Sequence, residues 1–247
     1  MGFLDLFSSS KIHTVDEIYF DENNASEFLI NYYIPRIPVL IKGGAKDWAL
    51  INKWNKDYVI KAFGNYECTI VSDSRPAYSK AKDTLKNYFS NHQGKSTLTL
   101  ERFNDSKAAF FLKDIKIPNA FFKEKDIARY FFFHSVNNAG TLPHVHRDAF
   151  NTLQMGKKHW VFYDANKKSA PKGFKELQEC HTKYPPGTHS RTWFQNELPK
   201  LSKKVEKVYQ CFQEPGDIVY IPIEFSHAVL NHSEVMGVVV ETNRTNL

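Results

Sequence analysis

The sequence predicts a mainly β domain, a sandwich or barrel of short strands with an α+β portion in front of it. Beyond about residue 127, short runs rich in aromatic and β-branched residues recur at close intervals between turn residues, the pattern of many short strands. A Pro-Gly-Asp turn, Pro215-Gly216-Asp217, stands directly ahead of the apolar run Ile218–Ile221. The composition, 42% hydrophobic and 15% aromatic with only 11 Gly and 11 Pro in 247 residues, suits one sizeable core and excludes a disordered chain or a repeat array.

Residues 1–126 read as the α+β portion. Val39-Leu40-Ile41 is a strand launched by Pro35 and Pro38 and closed by Gly43-Gly44. Thr69–Ser72 is a second strand, Thr84–Asn91 a helix with Leu85, Tyr88 and Phe89 on one face, and Ala109–Leu112 a buried strand. Residues 127–247 read as the barrel. Its strands are expected at Tyr130–Ser135, Leu142–Asp148, Asn151–Met155, His159–Tyr163, Val208–Gln213, Asp217–Ile221, His227–Leu230 and Gly237–Thr242. The run Tyr130-Phe131-Phe132-Phe133 reads as barrel core that can also line a pocket. Between them lies an inserted, Lys-, Pro- and Thr-rich segment, 164–207, of a length that serves as a lid, carries helices or meets a partner.

The formal charge of +6 comes largely from scattered lysines such as Lys80, Lys82, Lys203 and Lys204, which describe a solvated face. No basic motif interleaved with aromatics accompanies them, so a nucleic-acid partner is not expected. Cys68, Cys180 and Cys211 are odd in number, far apart and form no CxxC pair. That argues against a disulfide framework and a structural zinc site, and for a reducing cytoplasm. No apolar stretch reaches membrane-spanning length, the start MGFLDLF lacks a basic leader region, and residue six is Leu where a myristoylation signal has Ser or Thr.

The chemistry concentrates in Gly140-Thr141-Leu142-Pro143-His144-Val145-His146-Arg147-Asp148. In an extended strand, His144, His146 and Asp148 fall at i, i+2 and i+4, on one face. Metal donors sit about 2.0–2.2 Å from the ion, whereas Cα atoms four residues apart on a strand are about 13 Å apart. Neighbouring same-face residues therefore converge more easily, leaving two registers, His144-x-His146 and His146-x-Asp148. His146 belongs to both. A third ligand comes from His227, where Pro222 ends one strand and the chain re-enters; His232, beside Ser233 and Glu234, reads as a loop residue. Three protein ligands leave positions open for O2 and a chelating co-substrate, as a non-haem Fe(II) oxygenase requires.

Several ordered motifs then resemble the cupin-like JmjC family of Fe(II)/2-oxoglutarate oxygenases across nearly the whole chain. Ile37-Pro38-Val39-Leu40-Ile41-Lys42-Gly43 with Trp48 and Trp54 is similar to the family's N-terminal signature, and Phe111-Leu112-Lys113-Asp114 to its mid-chain step. The barrel adds Gly140-Thr141, the His strand, Asn151, Gly156-Lys157-Lys158-His159-Trp160 and the Pro-Gly-Asp…His227 module. The resemblance implies a double-stranded β-helix, the jelly-roll or cupin barrel, using Fe(II), 2-oxoglutarate and O2. It implies that Lys158 pairs with the far carboxylate of 2-oxoglutarate, aided by Thr141 and Asn151, with Thr242 and Asn231 near the same pocket. It aligns His144 with the family's first ligand, which puts His146 where an acid is usual and makes Asp148 a partner that orients His146 through its other ring nitrogen. The implied activity is hydroxylation of a protein or peptide side chain or of a small molecule, and the resemblance permits a homodimer. Two other readings are a cupin enzyme holding Zn(II), Ni(II) or Mn(II) without a 2-oxo acid, and a non-catalytic cupin module that binds a partner through residues 164–207.

Overall fold

The computed structural model describes residues 12–19, 25–72, 81–91, 97–102, 113–116, 126–164, 184, 187–223 and 225–243. The strand expected at 109–112 lies outside them, as does most of the inserted segment. The strands are β1 (Ile12–Thr14), β2 (Asp16–Tyr19), β3 (Val39–Lys42), β4 (Glu67–Ser72), β5 (Ala81–Thr84), β6 (Thr97–Arg102), β7 (Ile127–Ser135), β8 (Gly140–His144), β9 (Ala149–Met155), β10 (Lys158–Asp164), β11 (Val208–Gln213), β12 (Ile218–Ile221), β13 (Phe225–Asn231) and β14 (Val235–Thr242). The helices are α1 (Ala25–Phe28), which runs into a π-helical turn at Leu29–Tyr33, then α2 (Ala49–Lys53), α3 (Lys56–Phe63), α4 (Leu85–Asn91), α5 (Ser190–Asn196) and α6 (Leu198–Lys204).

The strands form a double-stranded β-helix from a minor sheet, ordered β1-β11-β10-β13-β8, and a major sheet, ordered β2-β3-β12-β9-β14-β7-β6-β4-β5. Strands from before residue 127 sit in both sheets: β1 runs parallel to β11, and β3 pairs antiparallel with β12. Period-two alternation decides what each strand gives to each side. On the outer face of the major sheet, Tyr130, Phe132, Phe150, Tyr220, Val238 and Val240 pack with Trp48 and Trp54, which flank α2, and with Phe63 of α3. On the outer face of the minor sheet, Leu142, Val161, Tyr163, Ala228 and Leu230 pack with Trp193, Phe194, Leu198 and Leu201 of α5 and α6. Between the sheets lie Trp160, Phe162, Val219, Val229 and Ala149, with Phe133 and Leu153 beyond them. The Phe run is thus split, Phe132 facing the helices and Phe133 the barrel interior.

Asp114 closes the junction between the helices and the barrel. Its carboxylate accepts hydrogen bonds from Trp54 Nε1 at 2.9 Å and Lys53 Nζ at 2.9 Å, and its carbonyl accepts from Leu50 N–H at 3.0 Å. Burial opposes the Asp114 charge, but the bonds from Trp54 and Lys53 outweigh it and hold the carboxyl below the usual carboxylate range. A folded-state value below the unfolded one means the contribution is complete above the ordinary Asp value and is lost as pH falls through the folded value. Asp114→Ala strands the buried Trp54 N–H, so urea melts at pH 7 should show a loss of about 1–3 kcal/mol, and the gap from wild type should narrow in acid.

Candidate metal centre

β8 stops at His144, short of the strand end at Asp148 that the sequence suggested, because the chain must leave the minor sheet here and enter β9 of the major sheet. His146 therefore reaches the centre from the crossing 145–148, not from a flat strand face. β8 pairs antiparallel with β13 so that His227 stands directly opposite His144, and the register shifts between His227 and Val229. Such a bulge re-aims a side chain beside a site. Gly140 permits the close pairing: a Cβ there would lie 1.9 Å from the Val229 carbonyl oxygen.

One nitrogen from each of His144, His146 and His227 lies within 4.8 Å of the others. Each Nδ1 faces a backbone carbonyl: Leu142 at 2.9 Å from His144, Arg147 at 2.7 Å from His146, and Phe225 at 3.2 Å from His227. A carbonyl only accepts, so each Nδ1 carries the proton and each Nε2 presents a lone pair. Burial, then the neighbouring His144 and His146, hold His227 well below the ordinary imidazole range. Burial also lowers His146, against the opposing pull of Glu241. Both rings are thus neutral at physiological pH, the form that ligates a metal.

Asp148 does not join this triangle. It is 1% exposed, and its Oδ1 accepts from Tyr220 O–H at 2.9 Å and Ile223 N–H at 2.9 Å. It braces the chain after β12, while the ring nitrogen it was expected to orient is held by the Arg147 carbonyl.

Deeper in the barrel, Lys158 is 6% exposed and stands between Gln213 and Asn231 in the minor sheet. Its Nζ crosses the interior to lie 3.6 Å from the centre of the Phe133 ring on the major sheet. Burial pulls its ammonium down to about 7, and no carboxylate is recorded within ion-pair distance of it among the described residues. Lys157 points the other way, onto Glu214 at 3.0 Å. The buried side-chain oxygens without a hydrogen-bond partner among the described residues include Thr141 Oγ1, Asn151 Oδ1, Asn231 Oδ1, Thr242 Oγ1 and the second oxygen of Asp148, Oδ2. Thr141 and Val229 form the register step between the His pair and the Lys158–Asn231 pair, so Thr141 lies between metal and lysine. Asn151 belongs to the major sheet, flanked by Val219 on β12 and Val239 on β14. Thr242, whose N–H donates to the Asp148 carbonyl, sits instead at the far end of β14 from Gly237, the neighbour of Phe133.

A buried lysine without an anion, with the unpartnered Thr141 hydroxyl between it and three imidazole lone pairs, fits a small dicarboxylate bound to a metal. The sequence profile of the JmjC domain matches residues 113–247, more than half of the chain. This chain belongs to the JmjC family. The bifunctional arginine demethylase and lysyl-hydroxylase psr-1 of Caenorhabditis briggsae is 25% identical over 96% of this chain and 64% of its own length. The protein of the same name from Caenorhabditis elegans is 27% identical over 88% and 59%. The 2-oxoglutarate and iron-dependent oxygenase JMJD4 of Gallus gallus is 23% identical over 94% and 60%. The chain thus spans about three fifths of the length of these relatives.

Two residues of this JmjC barrel escape a motif reading. Gln213 accepts from Trp160 Nε1 at 2.9 Å and donates to the Asn151 carbonyl at 2.8 Å, tying the minor sheet to β9. Glu241 is 3% exposed on the inward parity of β14 and pairs with Arg129 of β7. Its signal was present in the sequence: an acid inside the apolar run Val238-Val239-Val240-Glu241. No described helix is long and apolar enough to cross a membrane.

Proposed function

We propose that this chain is an Fe(II)- and 2-oxoglutarate-dependent oxygenase that hydroxylates a protein side chain. The observation that carries the reading is Lys158, an amine buried inside the barrel with no recorded anion, on the far side of Thr141 from three imidazole lone pairs. His144, His146 and His227 hold the metal. Lys158 holds the distal carboxylate of the co-substrate, with the Thr141 hydroxyl donating to its oxygens and the Asn151 and Asn231 amides flanking it. Thr242, buried at the end of β14, is assigned to the substrate side. When bound, iron and 2-oxoglutarate supply the oxidation: O2 is split so that one atom goes to succinate, formed with CO2, and the other enters a substrate C–H bond. The protein's share is to keep three neutral imidazoles in place, neutralise the co-substrate and exclude water with Trp160 and Phe162, stacked at 5.7 Å against the His227 side of the barrel. A protein substrate is favoured by the relatives, whose names specify arginine and lysine chemistry. Buried Cys211, outside any disulfide, suits a reducing, cytoplasmic setting.

The test is succinate formation from 2-oxoglutarate with added Fe(II) and O2, with and without lysine- and arginine-containing peptides. Turnover above the metal-only blank is expected. No turnover, together with no calorimetric binding of 2-oxoglutarate, contradicts the reading. The all-imidazole donor set favours one alternative, a cupin enzyme on Zn(II), Ni(II) or Mn(II) that is indifferent to 2-oxoglutarate, and metal analysis of anaerobically purified protein separates the two.

A further inference from the structure

We propose that Glu241 is the positioning carboxylate of this centre, supplying from β14 the negative charge that the His-x-His motif lacks; the inference rests on the metal reading above. Gly237, Val239 and Glu241 share one face of β14, and Val239 packs among the residues between the two sheets, so Glu241 faces the barrel interior. One of its carboxylate oxygens lies 3.9 Å from His146 Nδ1, and the other accepts from Arg129 Nε. The two ends of this ion pair differ in exposure. The Glu241 side chain is 4% exposed and that of Arg129 26%, with the guanidinium 4.8 Å above the Phe131 ring.

A dication on three neutral imidazoles keeps its full charge, whereas the usual two imidazoles and one carboxylate cancel part of it. A buried carboxylate beside a ligand ring offsets that charge through a low dielectric. The cationic partner is nearer water, so solvent screens it more, and its opposing pull on His146 is smaller than that of Glu241. The pair therefore acts as a dipole with its negative end at His146. Glu241 lies on the Nδ1 side of the ring, outside the triangle of donor nitrogens, and so acts through His146. Asp148, the other nearby acid, has one oxygen committed to Tyr220 and Ile223.

The experiment is calorimetric titration of Mn(II) into metal-free wild type, Glu241→Gln, Glu241→Asp, Arg129→Gln and His227→Ala, with the melting temperature of each metal-free protein recorded. Glu241→Gln should weaken Mn(II) binding by about 10–100-fold, the range for outer partners of metal ligands. Glu241→Asp should recover part of that loss. Arg129→Gln, which removes the offsetting cation, should bind Mn(II) at least as tightly as wild type. Wild-type affinity in Glu241→Gln overturns the inference, and so does an equal loss in Glu241→Gln and Arg129→Gln, which makes the pair a structural brace. If Glu241→Gln fails to fold, Arg129→Gln decides alone, since a loss of affinity there overturns the inference. A wild type that binds no Mn(II), or a His227→Ala that binds as well as wild type, brings down the metal reading itself and this inference with it.

Discussion

Replacing His227 with alanine is expected to weaken divalent-metal binding by more than about a hundredfold, beyond what loss of an outer partner costs. His227 is 1% exposed, stands opposite His144 and has ring-centre distances of 4.2 Å to His144 and 4.5 Å to His146. Among the described residues the metal-ligating cluster is these three histidines, and Phe162, the neighbour of His227 on β10, has no donor. The same titration on Asp148→Asn discriminates the two registers. If His144 completes the set, Asp148→Asn keeps its metal and instead loses stability, because Tyr220 O–H and Ile223 N–H lose an anionic acceptor. If Asp148 is a ligand, it behaves as His227→Ala does. Calorimetry with Mn(II), paired with thermal melts, reads both outcomes.

Lys158→Met is expected to cost 2-oxoglutarate affinity by roughly 10²–10⁴-fold, the effect of removing one partner of a buried charge pair. The ligand-free protein should become more stable, since an unpaired buried ammonium is replaced by an apolar chain of similar length. Acidity gives a sharper signature. Burial brings Lys158 down to about 7, below its unfolded value, so between about pH 7 and the ordinary lysine range the ligand-free folded state has lost this proton while the unfolded chain keeps it. Over that window the unfolded state binds more protons, and stability of the ligand-free protein rises with pH on account of this residue. Binding the co-substrate carboxylate needs the ammonium, so 2-oxoglutarate binding at pH 8–9 should take up about one proton. Titrations in two buffers of different ionisation heat measure that uptake, and Lys158→Met should show none.

The barrel strands were legible in the sequence because both sheets alternate with period two and turn residues punctuate them. Val208–Gln213 is bounded as expected, and most others shift by one or two residues at an end. Strand β8 is the informative difference. Periodicity alone carries the strand through Asp148, but the chain has to change sheets after His144, a tertiary requirement that local pattern does not encode. That change brings His146 into the triangle from a turn and sends Asp148 to Tyr220. In the sequence, the spacing rule for converging ligands singles out His146, and the re-entry of the chain after Pro222 singles out His227. The choice between Lys157 and Lys158 follows from strand parity once β10 is known to start at Lys158. The Glu241–Arg129 pair was not legible, since it joins residues 112 positions apart on neighbouring strands and belongs to no motif.

The most direct measurement of the central claim is a crystal structure of the protein grown anaerobically with Mn(II) and 2-oxoglutarate. One ion is expected on Nε2 of His144, His146 and His227, chelated by the 2-oxo acid, whose far carboxylate meets Lys158 Nζ. An ion bound through Asp148, or a 2-oxoglutarate that leaves Lys158 against Phe133 without an anion, would contradict it.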